Sequence, residues 1–274
     1  MKISVIIPTY NEEKNIADCI VSLRKQTEKD CEIVVVDDRS TDGTLNILRE
    51  LEVKVLEQKH QGPGIARNLG ARHAKGKILV FVDSDMTFSR DFLQNLVGDI
   101  KQGKTKGTFS KDEFVSNWEN VWARCWNINE GLPSKRRLPA NYPNHQKVFR
   151  AILKSEFDRV EGFSKGGYTD DYTLSAKLGY EAEAASNAVF YHKNPDTLSE
   201  VYKQAKWVGK REYKLGTIGN YIALLRASFI PTIFFGLYKS LVYREPRFLV
   251  FKAVYDQGIF VGILEMMITG KTSK

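Results

Sequence analysis

The sequence predicts an α/β fold, a mostly parallel sheet flanked by helices with an apolar helical segment appended to it. Three observations carry this. Short apolar runs alternate with segments of helical period through the first hundred residues. Polar and acidic clusters follow those runs directly, and beyond Gly219 the composition turns apolar.

Residues 3–7 (Ile-Ser-Val-Ile-Ile) form a run closed by Pro8, as expected of a strand buried on both faces. Ile16, Ile20 and Leu23 then recur at helical spacing. A second strand is predicted over 33–36, and Ser40-Thr41-Asp42 supplies an N-cap for a helix carrying Leu45, Leu48 and Leu51. A third strand covers 53–56, and a helix over 64–75 is expected to stop at Gly76. Residues 78–82 make a fourth strand that ends at Asp83-Ser84-Asp85. Such alternation implies parallel strands with helices on both faces. Further on, a broad apolar stripe (Phe114, Val115, Trp118, Val121, Trp122, Cys125) predicts a helix over 112–126. A proline-rich loop over 131–145, strands over 147–152 and 188–191, a short helix over 169–178 and a basic helix over 198–214 complete the reading.

A chain of 274 residues can bury a full core, and its formal net charge of +8 favours an anionic partner. Cys19, Cys31 and Cys125 lack CxxC spacing, which points to a reducing compartment and away from a zinc site or disulfide framework. The N-terminal run is too short and too soon polar for a signal peptide, so a cytosolic active site is expected.

In a parallel α/β sheet, ligands bind outside the carboxyl ends of the strands. The clusters Thr9-Tyr10-Asn11-Glu12, Asp37-Asp38 and Asp83-Ser84-Asp85 all fall at that edge. Carboxylates packed so closely repel one another unless a cation neutralises them, and with an adjoining hydroxyl they are hard oxygen ligands suited to magnesium or manganese with bound phosphates. Gly62-Pro63-Gly64 before a helix faintly matches a dinucleotide fingerprint. Its third glycine position holds Arg67, and the element follows the third strand rather than the first, which argues against a Rossmann oxidoreductase.

Four co-linear motifs resemble the family 2 glycosyltransferases: residues 4–12 (SVIIPTYNE), 35–44 (VVDDRSTDGT), 66–70 (ARNLG) and 83–85 (DSD). The resemblance implies the Rossmann-like GT-A fold and inverting transfer from a nucleotide diphosphate sugar with Mg2+ or Mn2+. It places Pro8, Tyr10 and Glu12 around the nucleoside, Asp38 as acceptor from the base, Asp37 in support of that loop, and Arg67 at the base or phosphates. Asp83 reaches the ribose or metal, and Asp85 holds the metal against the diphosphate. Arg39 departs from the pattern, since the family often has glycine there; the loop then holds a less strained backbone or lends a charge to the donor. Gly162-Phe163 followed by residues 169–174 (TDDYTL) resembles the family's acidic pair at a helix start, with Asp171 as general base and Asp170 where the family more often has glutamate. His192 matches a histidine found near the metal, and residues 204–207 (QAKW) resemble a motif of processive synthases with lysine in place of arginine. That substitution argues against processivity. Lys206, Lys210 and Arg211 are placed to cover the diphosphate or to form a solvated face.

The domain reading is a catalytic domain over 1–215 and a helical, membrane-interacting segment over 216–274. Charges interrupt the apolar tail, and Pro231 argues against one straight helix. Aromatics beside Lys and Arg fit helices lying in a membrane interface at the cytoplasmic face of the cell membrane, peripheral or monotopic, with a dimer or core role and true membrane spans as the competing readings. Membrane contact suggests a lipid-linked or saccharide acceptor. A nucleotidyltransferase is opposed by the first loop, which has no glycine-rich basic character. A non-catalytic membrane-bound scaffold has no need of Asp83, Asp85 and Asp171, and acidic clusters at the ligand edge oppose nucleic acid.

Overall fold

The structure, a computed structural model, describes residues 1–132, 134–139, 141–164 and 170–272, the side chains of Asp170 and Asp171 excepted. The chain packs as two compact units, one of residues 1–114 and 140–192, the other of residues 115–139 and 193–274.

In the first unit the four predicted strands form β1 (Ile3–Thr9), β2 (Cys31–Asp37), β3 (Lys54–Glu57) and β4 (Ile78–Phe81), paired in parallel in the order β3-β2-β1-β4. The intervening helices are α1 (Ile16–Arg24), α2 (Thr44–Glu50) and α3 (Pro63–His73). The alternation of side chains along a strand builds a core on each face. Ile3, Val5, Ile7, Ile78 and Val80 join α1, α2 and α4 (Phe92–Lys101) on one side. Ile6, Leu79 and Phe81 meet α3, α6 (Lys154–Arg159) and α7 (Asp170–Leu178) on the other.

The sheet does not stay parallel. Beyond β4 lie β9 (Ala151–Leu153), β6 (Gly107–Ser110), β10 (Ala182–Ala185) and β8 (His145–Gln146), with β9 antiparallel to both β4 and β6, and β8 antiparallel to β10. A second sheet has the order β5-β11-β7, from Met86–Phe88, Phe190–His192 and Glu113–Val115. The helix expected over 112–126 is therefore divided. Its first part is strand β7, and the helix α5 (Val121–Asn129) starts where the Asn120 side chain accepts from the N–H groups of Trp122 (2.8 Å) and Ala123 (3.2 Å). An apolar stripe cannot distinguish a strand followed by a helix from one continuous helix when both bury the same residues.

Two helix ends of the first unit differ from expectation. Residue 43 is the N-cap of α2, although Asp42 still accepts from the Thr44 N–H at 3.0 Å. Gly76 does not cap α3, which ends at His73; it lies where the chain passes the start of β1, and a Cβ there would be 2.6 Å from the Ser4 nitrogen.

The second unit is helical: α5, α8 (Leu198–Gly209), α9 (Gly216–Arg226), α10 (Phe229–Val242) and α11 (Phe248–Thr269). The basic helix expected to reach residue 214 ends at Gly209. Helices α8 and α11 cross through a seam of Gly209, Gly258 and Gly262, where backbones touch: a Cβ on Gly258 would lie 2.7 Å from the Tyr202 carbonyl oxygen. Asp256 is buried in α11, accepting from Thr232 Oγ1 and Lys252 Nζ, each at 2.7 Å.

Helix α3 lies so close to the sheet that a Cβ on Gly70 would be 2.5 Å from Ile6 Cγ2, a branched and fully buried group with no room to yield. Gly70→Ala is expected to destabilise the protein by about 1–3 kcal/mol, read as a lower urea midpoint at unchanged denaturant slope.

Candidate active site

The carboxyl ends of β1, β2 and β4 gather most of the expected donor-site residues in the first unit. Pro8 and Thr9 end β1, in register with Val36 and Asp37 of β2. Asp37 accepts from the Ser40 N–H at 3.0 Å and so holds the turn at Arg39. That turn is not relaxed, because Arg39 has φ of 68°, the left-handed conformation that favours glycine. The expectation of a less strained backbone there is corrected, and an exposed charge at the loop tip is what the substitution provides. Among the described residues, Thr9 Oγ1 and Asp37 Oδ1 are buried with no hydrogen-bond partner.

Asp38 is buried and organises the segment after β3. Its Oδ1 accepts from Gln58 Nε2 (2.7 Å) and the Gln61 N–H (2.8 Å), while Oδ2 accepts from the Gly62 N–H (2.8 Å) and faces His60 Nδ1 at 3.0 Å. This folds His60 against Tyr10, ring centroids 4.4 Å apart. Two aromatic rings, both reaching solvent, thus stand at the sheet edge beside the acidic turn.

Next to them lie two charge clusters. Asp83, at the end of β4, is held between Arg67 of α3 (Nη2 to Oδ1, 2.9 Å) and Arg150 (Nη1 to Oδ2, 3.2 Å). Desolvation works to raise its carboxyl, yet Arg150, Arg67 and His192 hold it well below the usual carboxylate range. Arg67 is itself buried and lies over the Phe163 ring. Asp85 Oδ2 is 2.8 Å from His192 Nε2, and His192 Nδ1 is 3.0 Å from Glu113 Oε1. Glu12 feels both clusters: burial, then the charges of Asp85, Asp42 and Asp83, raise its pKa against the opposing hydrogen bond from Asn15.

The expected metal site can be tested against this geometry. A carboxylate on one ring nitrogen of a histidine is the arrangement that orients a metal-ligating imidazole. With Nδ1–H donated to Glu113, the Nε2 lone pair and an Asp85 oxygen face each other, a pair of donors that fits a divalent cation. Asp83, with an arginine on each oxygen, fits that role less well. Among the described residues no three His, Cys, Asp or Glu side chains form a group able to hold a metal alone, so remaining ligands would come from phosphates or water.

Asp170 and Asp171 open α7, and their side chains lie outside the described residues. Residues 163 and 164 are held by α3 and by α7. Asn68 donates to the Phe163 carbonyl (2.8 Å) and accepts from the Phe163 N–H (3.0 Å), and the Ser164 N–H donates to Thr173 Oγ1 (3.1 Å). The helix carrying Arg67 thereby also holds Phe163. Lys206 and Arg211 belong to the second unit. There Lys206 and Lys210 both meet Glu265 Oε2, at 2.8 and 3.1 Å, and Arg211 lies over the Tyr213 ring.

A sequence profile described as Glycosyl transferase family 2 matches residues 4–160. The chain belongs to that family. Poly(ribitol-phosphate) β-glucosyltransferase of Bacillus spizizenii is 41% identical over 202 residues, covering 66% of this family 2 chain and 32% of the relative. The curated relatives are longer, and the match to TarS of Staphylococcus aureus spans only 18% of that protein. Among solved structures, residues 1–349 of S. aureus TarS in complex with UDP-GlcNAc align with a TM-score of 0.58 at 19% identity, covering 100% of this chain and 93% of that one. The Pyrobaculum calidifontis mannosyltransferase PcManGT, in complex with GDP-Man and Mn2+, aligns with a TM-score of 0.56 at 20% identity over 98% of this chain and 76% of that one. These likenesses show a GT-A-like fold with a mixed sheet.

Sequence reasoning missed His60, Glu113 and Arg150 of this family 2 chain. His60 carried a signal, since the polar run 58–61 follows the third strand at the same edge as the other clusters. Glu113 and Arg150 carried none, because their roles depend on β7 and on the segment entering β9. Gly162, before the acidic pair, has φ of 66°, and a Cβ there would lie 2.4 Å from Asn68 Oδ1. Gly162→Ala is expected to cost about 1–3 kcal/mol from backbone strain alone. Hydrogen exchange should show α7 opening more readily than β1 or β2 in the variant.

Proposed function

We propose that this chain is an inverting glycosyltransferase, moving a sugar from a nucleotide diphosphate sugar to a membrane-associated acceptor, lipid-linked or saccharide, at the cytoplasmic face of the cell membrane. The observation that carries the reading is the joining, at one sheet edge, of a twofold arginine clamp (Arg67–Asp83–Arg150) to a carboxylate–imidazole pair backed by Glu113 (Asp85–His192). Similarity to proteins solved with UDP-GlcNAc and with GDP-Man and Mn2+ supports it.

In this reading the nucleoside lies against Tyr10 and His60 near Pro8 and Glu12, with the buried Thr9 Oγ1 and Asp37 Oδ1 available as polar partners. A nucleobase N–H reaching Asp38 replaces one of the bonds that carboxylate makes to its loop. Arg67 and Arg150 present positive charge to the diphosphate while Asp83 fixes their orientation. Asp85 and His192 would hold Mg2+ or Mn2+, which neutralises charge building on the departing diphosphate. Asp171 takes the proton from the acceptor hydroxyl as its oxygen bonds to the anomeric carbon. The bonding pair of the sugar–phosphate bond leaves with the nucleoside diphosphate, and attack from the opposite face inverts the centre. Asp170 is a contact for the acceptor.

Membrane contact is supported by the second unit. Leu225, Phe229, Ile230 and Leu241 are each at least 68% exposed, a density of bare apolar groups that marks an interaction surface. Among the described residues no single helix is long and apolar enough to cross a membrane; α9 and α10 pass that test only as a pair, bent by 58°. Helices lying in the interface fit both facts. We therefore keep 216–274 as the membrane-interacting segment of a catalytic chain.

Calorimetry with uridine and guanosine diphosphate sugars, with and without Mn2+, tests the donor reading. Binding of one of them, strengthened by metal, is expected; no binding by the folded protein would refute it. Asp85→Ala should lose the response to metal and retain metal-free affinity. Asp171→Asn should leave donor binding intact and lower turnover by roughly 10²–10⁴-fold; full turnover in that variant would remove Asp171 from the mechanism.

A further inference from the structure

Two cavities of the second unit share a wall. The larger, about 620 Å³, is lined by Arg211, Lys214, Arg226 and Lys252 together with apolar Ile222 and Ile259. The smaller, about 390 Å³, is lined by Phe229, Ile233 and Phe260, and Ala227 and Asp256 belong to both. A cationic chamber therefore adjoins an apolar one.

The charge balance of the larger cavity is positive. Asp256 and Glu212 are its acidic members, and Asp256 is already engaged by Lys252 and Thr232. Lys214 and Arg226 make no ion pair among the described residues, and both are exposed. Cations gathered beside apolar walls attract an anion that carries its own apolar part, because a free anion leaves the second chamber unused and a neutral chain leaves the first unmatched. Apolar groups of the same stretch of chain are largely exposed as well, among them the lining residues Leu215 and Phe229 and the nearby Ile218.

We propose that the two cavities form one site for an anionic amphiphile, its phosphate head beside Arg211, Lys214 and Arg226 and its alkyl chain along Phe229, Ile233 and Phe260. The inference rests on the membrane-facing reading of this segment and deepens it by naming the lipid chemistry selected. It makes the segment a reader of headgroup charge as well as an apolar anchor.

The test uses the full chain and three soluble probes in calorimetry: decyl phosphate below its micellar concentration, inorganic phosphate, and decyl maltoside. Decyl phosphate is expected to bind at least about tenfold tighter than either of the others. The Lys214→Gln/Arg226→Gln double variant, altered at exposed positions, should lose that preference by roughly tenfold or more while retaining its thermal midpoint and donor binding. Inorganic phosphate binding as tightly as decyl phosphate reduces the site to a free-anion site, and decyl maltoside binding as tightly reduces it to unselective apolar contact; either overturns the proposal. Flotation with phosphatidylcholine vesicles, with and without phosphatidylglycerol, separates this failure from that of the membrane reading. Equal binding to both vesicle types overturns the headgroup site and leaves membrane contact standing, whereas binding to neither overturns both. Binding confined to the anionic vesicles and weakened in the double variant supports the site.

Discussion

Crowding of like charge at the carboxyl edge of the sheet is the constraint around which the first unit is arranged. The parallel pairing of β1 with β2 and β4 brings Glu12, Asp37, Asp38, Asp83 and Asp85 to one edge. Carboxylates taken partly out of water and set near one another resist ionisation, as the raised pKa of Glu12 records. Asp83 nevertheless stays ionised because two guanidinium groups reach it. Each neutralising group needs its own scaffold. Arg67 requires α3 to lie against the sheet, Arg150 comes from the segment entering the antiparallel β9, and His192 ends a strand of the second sheet. The reversal of strand direction beyond β4 is thus tied to the charge balance of the site.

The same economy runs through the loops. Asp38 holds four groups of the 58–62 segment and so places His60 against Tyr10. Asn68 grips both polar groups of Phe163, tying that residue to the helix that carries Arg67. Both are short polar side chains that satisfy part-buried backbone groups of a neighbouring segment. Rigidity of this kind suits a site in which charge must meet a phosphate in one geometry.

The second unit follows another logic. Its inner contacts are backbone to backbone across the glycine seam of α8 and α11, with a small aromatic core of Phe248 and Phe251 beside Cys125 and Val201. On α9 and α10 the apolar residues face outward. A surface of that composition gains stability only from something that covers it.

Strand positions, the parallel pairing of the first four strands and the acidic edge were legible in the residues, because apolar runs of strand length alternating with helical segments imply parallel strands in an α/β chain. Tyr10, Glu12, Asp37, Asp38, Asp83 and Asp85 could be picked out from local pattern, since each sits at or just beyond a strand end, whereas Arg67, inside α3, and His192 were named through the family resemblance. The partners of those residues could not. Glu113 was read as part of a helix, Arg150 as part of a strand, and nothing near either marks a charge that meets Asp83 or His192. Ion pairs across sixty-seven or seventy-nine positions arise from how strands and sheets pack, and the gain from neutralising a half-buried charge leaves no periodic trace in the chain.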